Sequence, residues 1–95
     1  MKYKRPPQPP KGTKITNVVT TDDFDIIVKF ACGEEKMLNL RKYIDEVPHM
    51  KPLERLFSDV KLFKNVKFWD TLIYWDEELD ISVAAIWYRG VSVKS

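Results

Sequence analysis

Residues 15–40 read ITNVVTTDDFDIIVKFACGEEKMLNL, and this stretch decides the fold. Phe24, Ile26, Val28 and Phe30 alternate with Asp25, Ile27 and Lys29, the period of two expected of a half-buried strand. Ahead of it, Ile15–Thr20 is rich in Val, Ile and Thr, and Thr21-Asp22-Asp23 supplies polar turn chemistry. Behind it, Ala31-Cys32-Gly33-Glu34 makes a short turn in which glycine can take positive φ. Lys36, Leu38 and Leu40 then alternate with Met37 and Asn39. The three segments predict an antiparallel meander. Each strand alone is marginal in water, but three with a shared apolar face are viable.

Downstream the period lengthens. Arg41–Glu46 predicts one helical turn, which Pro48 ends. Pro52 suits the first turn of a new helix, and Leu53, Leu56, Phe57 and Val60 fall at i, i+3, i+4 and i+7, a single apolar stripe facing the sheet. Leu62 and Phe63 extend the apolar surface. Strand signals return at Val66–Trp69 and Thr71–Trp75, close enough to predict a tight hairpin around Asp70. Asp76-Glu77-Glu78 reads as a solvated turn, and Leu79 and Ile81 flank Asp80. Ser82 suits the N-cap of a short helix over Val83–Arg89, with Gly90 as its stop. Val91-Ser92-Val93 either adds an edge strand or frays. The class is α+β: a small antiparallel β-meander packed with short helices, in a single domain over residues 15–95.

Residues 1–14 form a basic, Pro-rich lead-in expected to be flexible. They hold Lys2, Lys4, Arg5, Lys11 and Lys14, four of the six prolines and no acid. The net charge of +2 therefore hides an asymmetry, because the remaining 11 bases face all 14 acids and residues 15–95 carry about −3. An acidic body does not suit the broad phosphate contact of non-specific nucleic-acid binding. The P-x-x-P spacing of Pro6–Pro9 and Pro7–Pro10 could be read by an SH3-type groove, although an extended, solvated segment is the plainer expectation. Cys32 is the only cysteine, so neither an internal disulfide nor a thiolate metal cluster can form in one chain. The N-terminus lacks the apolar region of a secretory signal, and no apolar run approaches the ~20 residues that span a bilayer. A cytoplasmic protein without membrane contact is expected.

Several marked residues resemble a known pattern. Phe30-x-x-Gly33 ends the alternating strand. Leu40, Pro52-Leu53, Leu62-Phe63-x-x-Val66 and Ile73-Tyr74-Trp75 follow, then Leu79-Asp80-Ile81 before a short helix. Over roughly Ile15 to Tyr88 the chain resembles the bacterial domain of unknown function 2442. That resemblance implies a small α+β domain of antiparallel strands and short helices. Members are often encoded beside another small protein, so it also implies an antitoxin-like partner of a two-protein bacterial system. The sequence departs from the family where a proline usually follows the Asp-Ile pair, since Ser82-Val83 stands there. Some members continue into a DNA-binding helix-turn-helix; with the sequence ending at Ser95, that route to DNA is not expected.

Chemistry is sparse. His49 is the only histidine and sits between Pro48 and Met50, with no serine or cysteine placed beside it by spacing. Cys32 is followed by Gly33, Glu34 and Glu35, a negative field that opposes thiolate formation. Asp76, Glu77, Glu78 and Asp80 are the densest acidic group, but they lack the alternation, central glycine and distal glutamate of a Ca²⁺ loop. No catalytic, cofactor-binding or metal-ligating residue is assigned, and no enzymatic activity or cofactor is expected. The richest feature is aromatic. Trp69, Tyr74, Trp75, Trp87 and Tyr88 either pack the core or form an interface, and with the acidic group they are the candidate interaction residues. Along the hairpin, Thr71, Ile73 and Trp75 point to one face and Leu72 and Tyr74 to the other. Helix covers one face; the other needs the last helix or a second molecule.

The expected function is a non-enzymatic protein-interaction module whose partner is another small protein or a second copy. A nucleic-acid-associated regulator using the basic N-terminal tail is the main alternative. A small-ligand-binding domain is the third, and it requires a pocket of several hundred Å³.

Overall fold

The computed structural model describes residues 9–93, and their arrangement is α+β with two antiparallel sheets. The meander forms as the alternation predicts. Strands β1 (Ile15–Thr20), β2 (Asp25–Phe30) and β3 (Glu35–Asn39) pair in sequence, and β7 (Val91–Ser92) closes the far edge against β3, giving the order β1-β2-β3-β7. Ile26, Val28 and Phe30 are 0–3% exposed, so this row of β2 faces the core and Ile27 points away from it. A register shift between Ile15 and Asn17 marks a bulge in β1.

Gly33 takes φ +92 in the β2–β3 turn, as that turn demands. The β1–β2 turn has a less expected solution. Phe24 lies at φ 63, a left-handed conformation that a bulky residue rarely adopts, and β2 begins only at Asp25. Its ring meets Phe57 edge-on at 4.9 Å and Phe63 at 4.9 Å, and the Arg41 guanidinium lies 5.3 Å from it and 4.3 Å from Phe57. Tertiary packing thus holds a strained backbone in place.

Three helices follow. Helix α1 (Leu40–Glu46) is N-capped by Asn39, whose side chain accepts from the Lys42 amide at 3.1 Å. A 3-10 segment (Pro48–Glu54) leads into α2 (Arg55–Ser58), and α3 (Val60–Lys64) comes next. The single helix predicted from Leu53 to Val60 is therefore broken. Asp59 leaves helical geometry (φ −135, ψ 77) and its carboxylate caps α3 by accepting from the Leu62 amide at 3.1 Å. Leu53 and Leu56 stay buried as the stripe requires, but the break resets the helical phase. Val60 turns outward, 46% exposed, and Phe63 takes the inward position at 1%.

The second sheet comprises β4 (Lys67–Trp69), β5 (Leu72–Tyr74) and β6 (Asp80–Ser82) in that order. Asp70 and Thr71 make its first turn, and Leu79-Asp80-Ile81 supplies its third strand. Helix α4 (Val83–Arg89) starts where expected, with the Ser82 hydroxyl accepting from the Ala85 amide at 3.2 Å. Gly90 ends it for a different reason from the one anticipated. Its φ is −74, but a Cβ would lie 2.7 Å from the Ile86 carbonyl oxygen and 3.0 Å from the Lys36 Cβ. Only glycine lets the chain pass this close to β3 and continue into β7.

The core joins Val28, Phe30 and Leu38 of the larger sheet to Leu40 and Ile44 of α1, Leu53, Leu56, Phe63, Ile73, Leu79, Ile81 and Ile86, and among the described residues no polar or charged one is buried. Burying each of these side chains contributes roughly 1.5–3 kcal/mol. The two sheets meet where the Ile15 amide donates to the Asp70 carbonyl at 3.0 Å. Part of the lead-in is ordered: the Thr13 amide and hydroxyl both donate to the Pro10 carbonyl, at 3.1 and 2.6 Å, around Gly12 at φ +86. Pro6 and Pro7 lie outside the described residues.

Candidate functional site

Period-two geometry gives the small sheet two faces. Phe68, Ile73 and Ile81 form one cross-strand row, and Ile73 and Ile81 are 0–1% exposed, so this face meets the core. The opposite face presents two rows, Trp69–Leu72–Ser82 and Lys67–Tyr74–Asp80. Leu72 and Tyr74 are half-buried, and Trp69 on the edge strand is 65% exposed. The last helix, α4, starts directly from β6 and buries its own Ala84, Ala85 and Ile86. A large indole left mostly exposed at a sheet edge forgoes contacts that a second surface would supply.

The hairpin between β5 and β6 carries the acidic group. The Asp76 carboxylate accepts from the Glu78 amide at 2.8 Å and the Leu79 amide at 2.9 Å, so it builds the turn. Arg55 approaches Asp76 at 3.6 Å and Glu78 at 3.8 Å, both in solvent, where such pairs contribute little. Glu77, Glu78 and Asp80 are exposed. A solvent-open hollow of about 460 Å³ lies over Asp76, Glu77 and Glu78. Among the described residues, no group of three or more His, Cys, Asp or Glu side chains could hold a metal ion.

The structure separates the remaining candidates. Trp75 does not belong to a surface. It is 3% exposed, its ring stacks 6.2 Å from Phe63, and its Nε1–H donates to the Phe63 carbonyl at 2.9 Å. A partner for the indole N–H inside the core is what allows its burial. Trp87 packs on the other sheet, edge-on to Phe30 at 5.1 Å, with the Lys36 ammonium 5.0 Å from its ring centroid. Tyr88 is 47% exposed on α4. The geometry thus groups Trp69, Tyr74 and Asp80 on one face, with Glu77 and Glu78 at its hairpin tip. It adds Leu72, which alternation had already assigned to the Tyr74 side.

Sequence reading passed over a second apolar face. Val19 pairs with Ile27, Ile27 with Met37, and Met37 with Val91, one continuous row on the outer side of the larger sheet. Its signal was the odd-numbered partners of the alternation, Ile27 and Met37.

Cys32 is exposed in the β2–β3 turn, and His49 lies in the 3-10 segment. Beside β3, Met37, Leu38, Asn39, Lys42, Tyr43, Glu46, Arg89 and Val91 line a cavity of about 220 Å³. That is below the ~300–1,000 Å³ usual for small-molecule sites. No described helix is long and apolar enough to cross a membrane.

The family model described as "Protein of unknown function (DUF2442)" matches residues 15–92. No match is found among curated proteins or among solved structures.

Proposed function

The chain belongs to the DUF2442 family, and from that footing we propose that it is a non-enzymatic protein-interaction module, the antitoxin-like member of a two-protein system. It docks a different small protein on the outer face of the small sheet. One observation carries this reading: Trp69, 65% exposed, stands in the same cross-strand face as the half-buried Leu72 and Tyr74. Covering the remaining ~150 Å² of that indole gives a gross gain of about 4 kcal/mol before association entropy is subtracted. That is the profile of an interface anchor. Glu77, Glu78 and Asp80 rim the face and favour a partner with a basic counter-surface. A lone, exposed Cys32 suits a reducing compartment such as the cytoplasm.

The test is calorimetric titration with the purified product of the adjacent gene. A stoichiometric complex is expected, weakened by salt, and Trp69→Lys should lower its affinity at least ~30-fold while leaving the far-UV circular dichroism unchanged. Absence of a complex, or equal binding by Trp69→Lys, removes the reading.

A further inference from the structure

The outer face of the larger sheet has its own logic, independent of the small sheet. Its central row is apolar across all four strands: Val19, Ile27, Met37 and Val91, with Val19 47% and Val91 61% exposed. The row on one side of it runs Asn17, Lys29, Glu35, and the row on the other side pairs Asp25 with Asn39. The helices pack on the opposite side, against Ile26, Val28, Phe30 and Leu38.

We infer that this face joins a second copy of the chain, sheet against sheet, about a two-fold axis running parallel to the strands between β2 and β3. The argument is self-complementarity. Such an axis exchanges β2 with β3 and β1 with β7. Each residue then lies over the copy's equivalent of its own cross-strand neighbour. Ile27 covers Met37, and Val19 covers Val91. Lys29 meets Glu35 and Glu35 meets Lys29, so one rim carries two opposite-charge pairs. On the other rim Asp25 meets Asn39; these two are already hydrogen-bonded within each chain at 2.9 Å, so this rim opposes no like charges but adds no new pair. No like charges are opposed among these rows. Aligned sheets packing face to face accept this arrangement with the usual rotation of about −30°.

Size sets the strength. Four strands at ~4.8 Å spacing and five or six residues at ~3.4 Å give a face of about 19 by 19 Å. With its rims this lies at the small end of specific interfaces, below the ~800 Å² per partner of a standard one. The dimer is therefore reversible and concentration-dependent.

Sedimentation equilibrium of the full chain tests this. The weight-average mass should rise from the 11.2 kDa of one chain toward twice that value between micromolar and millimolar concentration. Val91→Lys changes a side chain already 61% exposed, so the fold tolerates it, and it should raise the dissociation constant at least ~10-fold. Ile27→Lys should do so more severely, with circular dichroism confirming that the variant is folded. Lys29→Glu should weaken the dimer, and adding Glu35→Lys to it should restore association. Trp69→Lys should have no effect, which separates this surface from the partner-binding one. A strictly monomeric chain up to millimolar concentration overturns the inference, as does a dimer unchanged by Val91→Lys. A dimer lost on Trp69→Lys instead assigns the second copy to the small sheet and also overturns it.

Discussion

Phe24 sets two physical effects against each other at one residue, and replacing it separates them. Its φ of 63 costs a non-glycine residue about 1–2 kcal/mol. Against that stand the half-buried ring, worth about 1–1.5 kcal/mol, and two aromatic contacts at 4.9 Å, each about 0.5–1.5 kcal/mol. The exposed Arg41 contact adds about 0.5 kcal/mol. Phe24→Ala loses the packing and keeps the strain, so it should destabilise by about 3 kcal/mol. Phe24→Gly loses the same packing but releases the strain, so it should destabilise by only about 2 kcal/mol. The order reverses the usual one, in which glycine is the more damaging choice. Urea unfolding followed by tryptophan fluorescence reads the difference. With a slope of about 1 kcal/mol per molar, the two variants should differ by about 1 M in midpoint. If Phe24→Ala is as stable as Phe24→Gly, the left-handed backbone stores no strain. If neither variant is destabilised, the ring does not hold the turn against α2 and α3, and the reasoning fails.

Two further perturbations follow from the packing. Trp75→Phe removes the indole donor and leaves the Phe63 carbonyl without it, so stability should fall by about 1–3 kcal/mol, with a thermal midpoint lower by several degrees. Gly90→Ala forces a Cβ against the Ile86 carbonyl and should destabilise by about 1–3 kcal/mol. Hydrogen exchange would show faster opening at Lys36 and Met37 in that variant, because β7 depends on this crossing; unchanged protection there would refute the close approach.

Much of the fold was legible because two-fold alternation is a strong local signal. Ile26, Val28 and Phe30 declared the buried face of β2, and Ser82 declared the start of α4. The Leu53–Val60 helix was misjudged because periodicity does not register a competing cap. Asp59 offers its carboxylate to the amide at Leu62 and ends one helix to begin another. The candidate site was legible as a composition of aromatics and acids but not as a place. Trp69 and Trp75 both sit in the hairpin segment, yet one is the most exposed large hydrophobic residue described and the other is in the core. What divides them is a carbonyl acceptor on α3, twelve positions away from Trp75, which no local pattern reveals.

The pairing of β7 with β3 carries a consequence for biosynthesis. Met37 finds its neighbour Val91 only at the far end of the described chain. While the chain is being translated, the meander can form behind the ribosome, but one border of it stays bare until Val91 and Ser92 emerge. That border is a ready template for a stray strand. Pairing with β7 once it emerges removes that template.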